Sequence, residues 1–418
     1  MNKRYYPLRS QFNAGVRMKG PNISIIVLDT LRLDAFNALL DREPSLLEGL
    51  GAVRFENCIA PASWTLPSHA SLFTGLYPSR AGAHETKTIK SLDIERIRLR
   101  KGTVVDDLRS AGYSTYGISA NPYIHPVYGF TGFDEFVSES YFTDVLGSVV
   151  EVSERLKPKV AKYRNIHGND IVKLSKAIMR EDPGLFMELA ASAATLTPKA
   201  ALSKMRAKLI EGWPIEKGGR NIINKVADMR LAEPFFLFAN FMEAHDPYIG
   251  GKGMDMNWAT PFLKEQPPAS LVSKWQSLYR NASRRALRYG TELARDLIGR
   301  FGEDQIIMLT SDHGQAFNEH GFIGHGTVLF DEVVRVPLVV IAPKRMTRNA
   351  GRAGYQSLAN VRRFVNAAAS GEADALSKLS SKSVYAETFS IPANISNLKG
   401  LDSRKIARFD KYQKRVFK

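Results

Sequence analysis

Five of the eight histidines, His69, His245, His313, His320 and His325, fall in three short stretches that also carry acids, hydroxyls and turn-forming residues. The first of these stretches is Ser63-Trp64-Thr65-Leu66-Pro67-Ser68-His69, which runs on to Gly75 and Pro78. Pro67 suits a first helical turn, where its missing N–H costs little, and Gly75 suits a helix end. Thr65 is therefore expected just before a short helix. Unpaired N–H groups and the positive dipole end at such a point favour an oxyanion or a phosphate. The same pattern also describes a plain N-cap threonine. The second stretch, Asn240-Phe241-Met242-Glu243-Ala244-His245-Asp246-Pro247-Tyr248, offers His245 as a metal ligand, or as a substrate-binding residue and proton donor. The third, Thr310-Ser311-Asp312-His313-Gly314, offers two adjacent ligands and a tight turn. His320 and His325 follow it as further acids or ligands. A fourth signal holds no histidine: the apolar run Ile25–Leu28 ends in Asp29. Hard divalent cations favour such oxygen ligands, although Asp29, Arg32 and Asp34 could equally cap the next turn.

Buried strands would have to hold these groups. Ile23–Leu28, Ser114–Ser119, Pro234–Asn240, Gln305–Thr310 and Val336–Ala342 are short apolar runs bounded by polar or turn residues, as expected of buried parallel strands. Helix-like stretches at Thr103–Ser110 and Leu278–Arg300 lie between them. Alternating strands and helices predict an α/β domain with its site at the carboxyl ends of the strands. The chain reads as a basic segment over 1–20, a catalytic α/β domain over 21–343 and a small C-terminal α+β lobe with a basic tail over 344–418. A basic, helix-favouring insertion is expected over about 138–228, carrying Leu156, Val160, Ile171, Leu174, Ile178, Leu185 and Leu189. A strand is expected at Ser383–Thr388.

With 418 residues and 44% apolar composition, the chain is long enough to bury a sizeable core without disulfides. Its one cysteine, Cys58, excludes an internal disulfide and fits a reducing compartment. No run approaches a membrane span, and no apolar leader follows the basic start, so a cytoplasmic protein is expected. The net charge of +16 favours an anionic partner. Without a zinc finger, an RNA-binding signature or a P-loop, nucleic acid is not the expected one.

Taken together and in order, strand–Asp, Thr-x-Pro-Ser, His-x-Pro-Tyr, Ser-Asp-His-Gly and the later Arg335-Val336-Pro337-Leu338 resemble the sulfatase family of the alkaline-phosphatase superfamily. The match spans about 21–137 and 229–343. That resemblance implies an alkaline-phosphatase/sulfatase-like, mostly parallel central sheet flanked by helices. It implies a metal site of Asp29, Asp312 and His313 with Thr65, and a His245 that binds the transferred group or the leaving oxygen. His325 stands where many members place a substrate-binding lysine. His69 replaces an arginine that steadies the nucleophile, and Asn121 is the polar residue left of a lysine–histidine element.

The departures bear on function. The family's nucleophile is a Cys or Ser oxidised to formylglycine, and threonine has no route to it. The usual Asp-Asp pair reads Asp29-Thr30. Both changes resemble the threonine-nucleophile branch of phosphodiesterases, nucleotide pyrophosphatases and phosphoethanolamine-type transferases. A metal-dependent phosphate-ester hydrolase, with phosphodiesters as substrates and a covalent Thr65 intermediate, is therefore expected. In that scheme His69 and His325 balance phosphoryl charge, and His245 or His325 protonates the leaving alkoxide. One divalent ion (Mn, Zn, Ca or Mg) is expected, and a second would have to use His245, Asp246 or His325. The alternatives are a sulfuric-ester hydrolase, a phospho-group transferase of the same superfamily, and a degenerate polyanion-binding scaffold.

Overall fold

The computed structural model describes residues 20–85, 97–139, 171–192, 217–248, 267–347 and 354–389, with isolated helical positions at 156, 159, 160, 163 and 194. The strands are β1 (Asn22–Leu28), β2 (Val53–Phe55), β3 (Cys58–Ile59), β4 (Ser114–Ser119), β5 (Glu135–Ser138), β6 (Phe235–Phe241), β7 (Gln305–Thr310), β8 (Ala316–Phe317), β9 (Ile323–Gly324), β10 (Leu338–Ile341), β11 (Tyr355–Ser357) and β12 (Ser380–Ser381). The principal helices are α1 (Leu33–Arg42), α2 (Thr65–Thr74), α3 (Val104–Ser110), α4 (Ile171–Glu181), α5 (Gly219–Asp228), α6 (Ala269–Phe301) and α7 (Val361–Ala369).

Seven strands form the central sheet in the order β2-β10-β7-β1-β6-β4-β5. Five of them, β7, β1, β6, β4 and β5, run parallel. Parallel strands are covered on both faces, so both sets of alternating side chains must be apolar. Ile23, Ile25 and Val27 of β1 join Phe236, Phe238, Ile306 and Met308 in one core, closed by Leu66 and Phe73 of α2, Val105 and Leu108 of α3, and Phe364 and Val365 of α7. Ile26 and Leu28 face the other way. They meet Leu237, Phe241, Ile307 and Leu309 beneath Phe36 of α1, Ile222 and Val226 of α5, and Leu287, Leu293 and Leu297 of α6.

Three of the expected elements differ. The run at Val336–Ala342 forms β10, but antiparallel to β7, with Leu338 opposite Thr310. The chain leaves β7 and re-enters the sheet at the same end without a crossover, which only an antiparallel pairing allows. Helix α6 starts at Ala269, with Pro268 at its N-cap, nine residues before the expected Leu278. The segment Ser383–Thr388 is not a strand. Its one bridge joins Glu387 to Ala62, with Glu387 N donating to Pro61 O at 2.9 Å, and side chains hold the chain on either side of it. Tyr77 Oη accepts from Tyr385 N at 3.2 Å, and Glu85 accepts from Phe389 N at 3.3 Å.

Within the expected insertion, α4, a helical run at 183–192 and α5 are helical, and Leu156, Tyr163, Ile178 and Leu185 form a small apolar cluster. Most of its remainder, and both basic chain ends, lie outside the described residues. Residues 355–379 share the α2 core: Leu358, Val361, Phe364, Leu376 and Leu379 are buried in it. Arg362 also donates to Thr74 O at the end of α2, at 3.0 Å.

Glu85 pins this C-terminal run to the strand–helix turn before Thr65. Its carboxyl accepts from Trp64 Nε1 at 2.7 Å and from Phe389 N. Burial pushes it up from 4.5 to about 7, against those two donors. A carboxyl raised on folding is most favourable when protonated. Its contribution is complete below about pH 4.5 and is lost as pH rises through about 7, a change of about 3 kcal/mol. In urea melts, Glu85→Gln is expected to gain about that much relative to the parent across this range. A difference that does not vary with pH would refute it.

Candidate active site

Sheet register places the polar groups. Val27 pairs with Thr310 and with Asn240, and Asn240 pairs with Ser119. Two residues beyond this row, on the same face by strand alternation, come Asp29, Asp312 and Asn121. All three are buried. The ligand atoms of Asp29, Asp312 and His313 lie within 4.8 Å of one another.

Thr65 is the first residue of α2 and not its N-cap. Trp64 occupies that position and makes no side-chain capping bond. The Thr65 hydroxyl is thereby left to the site, 3.3 Å from His313 Nε2 and 3.3 Å from Asn121 Nδ2. Ser68 Oγ ties the helix to the Asp312–His313 loop by donating to Asp312 O at 2.6 Å. At the far end, Gly75 takes φ 71° and closes the helix where a side chain would be strained.

Each carboxylate is oriented. Asp29 accepts from Thr30 Oγ1 and from Asn121 Nδ2, both at 2.7 Å. Asp312 Oδ1 accepts from Thr30 N at 3.1 Å and His313 N at 3.0 Å. Asp312 Oδ2 is buried with no hydrogen-bond partner. Burial and the neighbouring Asp29 charge raise Asp312 above the ordinary carboxylate range, as expected of two acids sharing one site. Thr30 stands at φ 66°, the left-handed region that a β-branched residue avoids. It is held there by its bonds to both carboxylates and by Tyr279 Oη, which donates to Thr30 O at 2.8 Å.

Carbonyl oxygens fix the histidine tautomers, because they can only accept. His313 Nδ1 donates to Gly314 O at 2.9 Å and His245 Nδ1 donates to Asp246 O. His325 Nδ1 bonds Gln315 Oε1 at 2.6 Å. In each ring Nε2 then presents a lone pair. The His325 ring lies 4.5 Å from that of His313 and 5.1 Å from that of His245, centroid to centroid. Desolvation pushes His245 down to about 4 and His325 well below its ordinary value. Burial thus favours the neutral form of both rings.

His69 is itself a residue of α2, on its buried face. Its Nδ1 donates to Thr65 O at 2.9 Å and is 3.5 Å from Asp312 Oδ2. Its ring packs edge-on against Phe130 and Phe238. It braces the first turn of α2 from its buried side. His320 is not part of the cluster: it is 55% exposed, beside Glu332 and Phe330. Arg32 and Asp34 pair with each other, and Arg32 with Glu319.

Lys217 was not legible in the sequence. It lies in the expected insertion, among none of the motifs, yet its ammonium donates to His245 O. The paired glycines after it were the available signal. A side chain at Gly219 would meet Glu243 Oε1 at 2.6 Å and Tyr289 at 2.4 Å, so the chain must pass closely there.

The family model described as Sulfatase matches residues 21–366. The chain belongs to the sulfatase family. Solved structures similar to it include the C-terminal periplasmic domain of EcEptC from Escherichia coli in complex with zinc, at 11% identity and TM-score 0.52, covering 92% of each chain. Also similar is the C-terminal periplasmic domain of the phosphoethanolamine transferase EptC from Campylobacter jejuni, at 12% identity and TM-score 0.45, covering 88% of this chain and 96% of that one. BT1596, a 2-O GAG sulfatase, aligns at 13% identity and TM-score 0.49, covering 84% of this chain and 71% of its own. No curated protein sequence matches the chain. Among the described residues, no helix is long and apolar enough to cross a membrane.

Gly314 gives a direct check on the site's construction. A Cβ there would stand 2.2 Å from Glu332 O, where the loop also bonds Val333 O through Gly314 N at 2.7 Å. Gly314→Ala is expected to cost about 3 kcal/mol in a urea melt and to weaken divalent-metal binding in titration calorimetry. Unchanged values for both would contradict this geometry.

Proposed function

We propose that this protein is a metal-dependent hydrolase of phosphate esters, with phosphodiesters as its substrate class, acting through a covalent phospho-Thr65 intermediate. The observation that carries this reading is the Thr65 hydroxyl. It stands at the N-terminus of α2, between His313 Nε2 and Asn121 Nδ2 and beside the Asp29–Asp312 pair. A threonine cannot become formylglycine, so the aldehyde-hydrate route to sulfate release is closed to it. Phosphothreonine can be released by water.

The residues fit a divalent cation. Asp312 Oδ2 is a buried acceptor with no partner, His313 presents Nε2, and Asp29 is a second carboxylate at the same point. Asp29, Asp312, His313 and Thr65 would hold it. An ion at such a site lowers the pKa of an adjacent hydroxyl and offsets phosphoryl charge. Thr30 in place of a second acid, spending its hydroxyl on Asp29 at 2.7 Å, favours one ion over two.

The side chains divide the remaining work. Asn121 Nδ2 holds Thr65 Oγ1 toward the substrate. Thr65 Oγ1 releases its proton to solvent water and bonds to phosphorus while the bond from phosphorus to the leaving oxygen breaks, the electron pair of that broken bond staying on the leaving oxygen, which then takes a proton from water. The α2 N-terminus places partial positive charge beside the phosphoryl oxygens. His69 fixes Thr65 from beneath through the Thr65 carbonyl. The neutral Nε2 atoms of His245 and His325 accept hydrogen bonds from the water that later attacks phospho-Thr65. Delivery of the same group to an alcohol would make the protein a transferase. That second reading follows from the covalent intermediate itself, which either acceptor can discharge.

The test compares an aryl phosphodiester, a phosphomonoester and a sulfate ester in the presence of Mn²⁺ or Zn²⁺. Diester turnover is expected to dominate. Thr65→Ala is expected to lower kcat by on the order of 10⁴-fold or more, and a chelator to abolish turnover. A Thr65→Ala protein with parental activity would sink the covalent scheme, and dominant sulfate turnover would sink the substrate class. Added ethanolamine that yields a phosphoryl adduct in place of hydrolysis would favour the transferase.

A further inference from the structure

Tyr279 lies in α6, outside every motif of the site, and is 3% exposed. Its ring is fixed among other aromatic side chains, 5.7 Å from that of Tyr248 and 4.9 Å from that of Phe317, centroid to centroid. Its hydroxyl reaches the turn after β1 and bridges two backbone groups there. It donates to Thr30 O and accepts from Arg32 N, both at 2.8 Å. From the other side, Leu31 N donates to Ser311 Oγ at 2.8 Å. The Thr30–Leu31 peptide is therefore gripped at its oxygen by α6 and at its nitrogen by the strand end that carries Asp312. That grip acts on a strained residue. Thr30 stands at φ 66°, and its remaining bonds run to Asp29 Oδ1 through Oγ1 and to Asp312 Oδ1 through N. Those two bonds belong to the carboxylates that repel each other. The Tyr279 hydroxyl restrains Thr30 without depending on either of them.

Resting on the metal-site reading above, we propose that Tyr279 is a positioning residue for the cation. Its hydroxyl holds the Thr30 turn in the left-handed conformation, so that Asp29 and Asp312 already stand together when a divalent ion arrives. A β-branched residue avoids that conformation, and two buried carboxylates drive each other apart. Left to themselves, both effects open the turn. An ion entering an open turn has to close it, and that work weakens its binding. A turn already held shut removes this loss. Once the ion is bound, its attraction for both carboxylates takes over the holding. Tyr279 therefore acts on metal affinity, as partners lying behind the ligands do, and has little effect on the turnover of a loaded centre.

The experiment titrates Mn²⁺ into the metal-free full chain by calorimetry and follows aryl phosphodiester turnover on the same samples. Tyr279→Phe keeps the ring and removes only the hydroxyl. It is expected to raise the Kd for Mn²⁺ by about 10-fold or more, while kcat at saturating Mn²⁺ stays within about 3-fold of the parent. Asparagine enters the left-handed region more readily than threonine and keeps a side-chain donor for Asp29. Thr30→Asn is therefore expected to shrink the effect of Tyr279→Phe on Kd to less than about 3-fold. A Tyr279→Phe chain that folds only when Mn²⁺ is added would meet the proposal in its extreme form. One that stays unfolded with Mn²⁺ would overturn it. So would a Kd within about 2-fold of the parent, an equal rise in Kd in both Thr30 backgrounds, or a kcat that stays depressed at saturating Mn²⁺. Calorimetry needs no turnover, so the affinity comparison holds whichever ester is the substrate. If the parent binds Mn²⁺ and Tyr279→Phe binds it equally well, this inference fails and the metal reading stands. If the parent binds no Mn²⁺, the metal reading itself fails and this inference with it.

Discussion

Two carboxylates that repel each other organise this protein. Asp29 and Asp312 are fully buried at the ends of adjacent parallel strands, where water cannot screen them and, among the described residues, no lysine or arginine pairs with either. Much of the surrounding structure serves to hold them there. Thr30 is held in a left-handed conformation and bonds both acids. Asn121 comes from a third strand end to bond Asp29, and Ser68 locks α2 to the Asp312 backbone. Such an arrangement is stable where a cation compensates it.

Which parts of this were legible beforehand follows from where the information resides. Asp29, Asp312 and Asn121 could be found because each lies just past an apolar run, and strand register converts that local position into a shared site. Thr65 and His69 could be found because a helix start has local residue preferences. His69's role was less legible: sequence could place it near the nucleophile but not show that its ring turns inward against Phe130 and Phe238. Antiparallel β10 escaped because a buried apolar run has no direction written in it. Lys217 and Glu85 escaped for another reason. Their chemistry arises from burial by distant segments, and an isolated lysine or glutamate in sequence looks like a solvated surface residue.

Replacing an acid by Thr30 and the family's oxidised nucleophile by Thr65 has a common effect. Both exchanges leave hydroxyls, and on the proposed reading these suit a single cation and a phospho-Thr65 ester. The histidines agree with that electrostatic setting. The His245, His313 and His325 rings turn their Nδ1 atoms toward acceptors, and burial disfavours the charged form of His245 and His325.

The sheet order has a bearing on biosynthesis. β1 is made early but lies between β6 and β7, and the bond from Thr30 N to Asp312 spans 282 positions. The helix carrying Thr65 is backed by α7 and tied through Thr74 O to Arg362, later still in the chain. On the ribosome, loop-closure entropy therefore has to be overcome before any of these contacts can reward it. A nascent chain would display Asp29, Thr65, Asp312 and His313 apart from one another. The cluster forms only when the chain has emerged past α7.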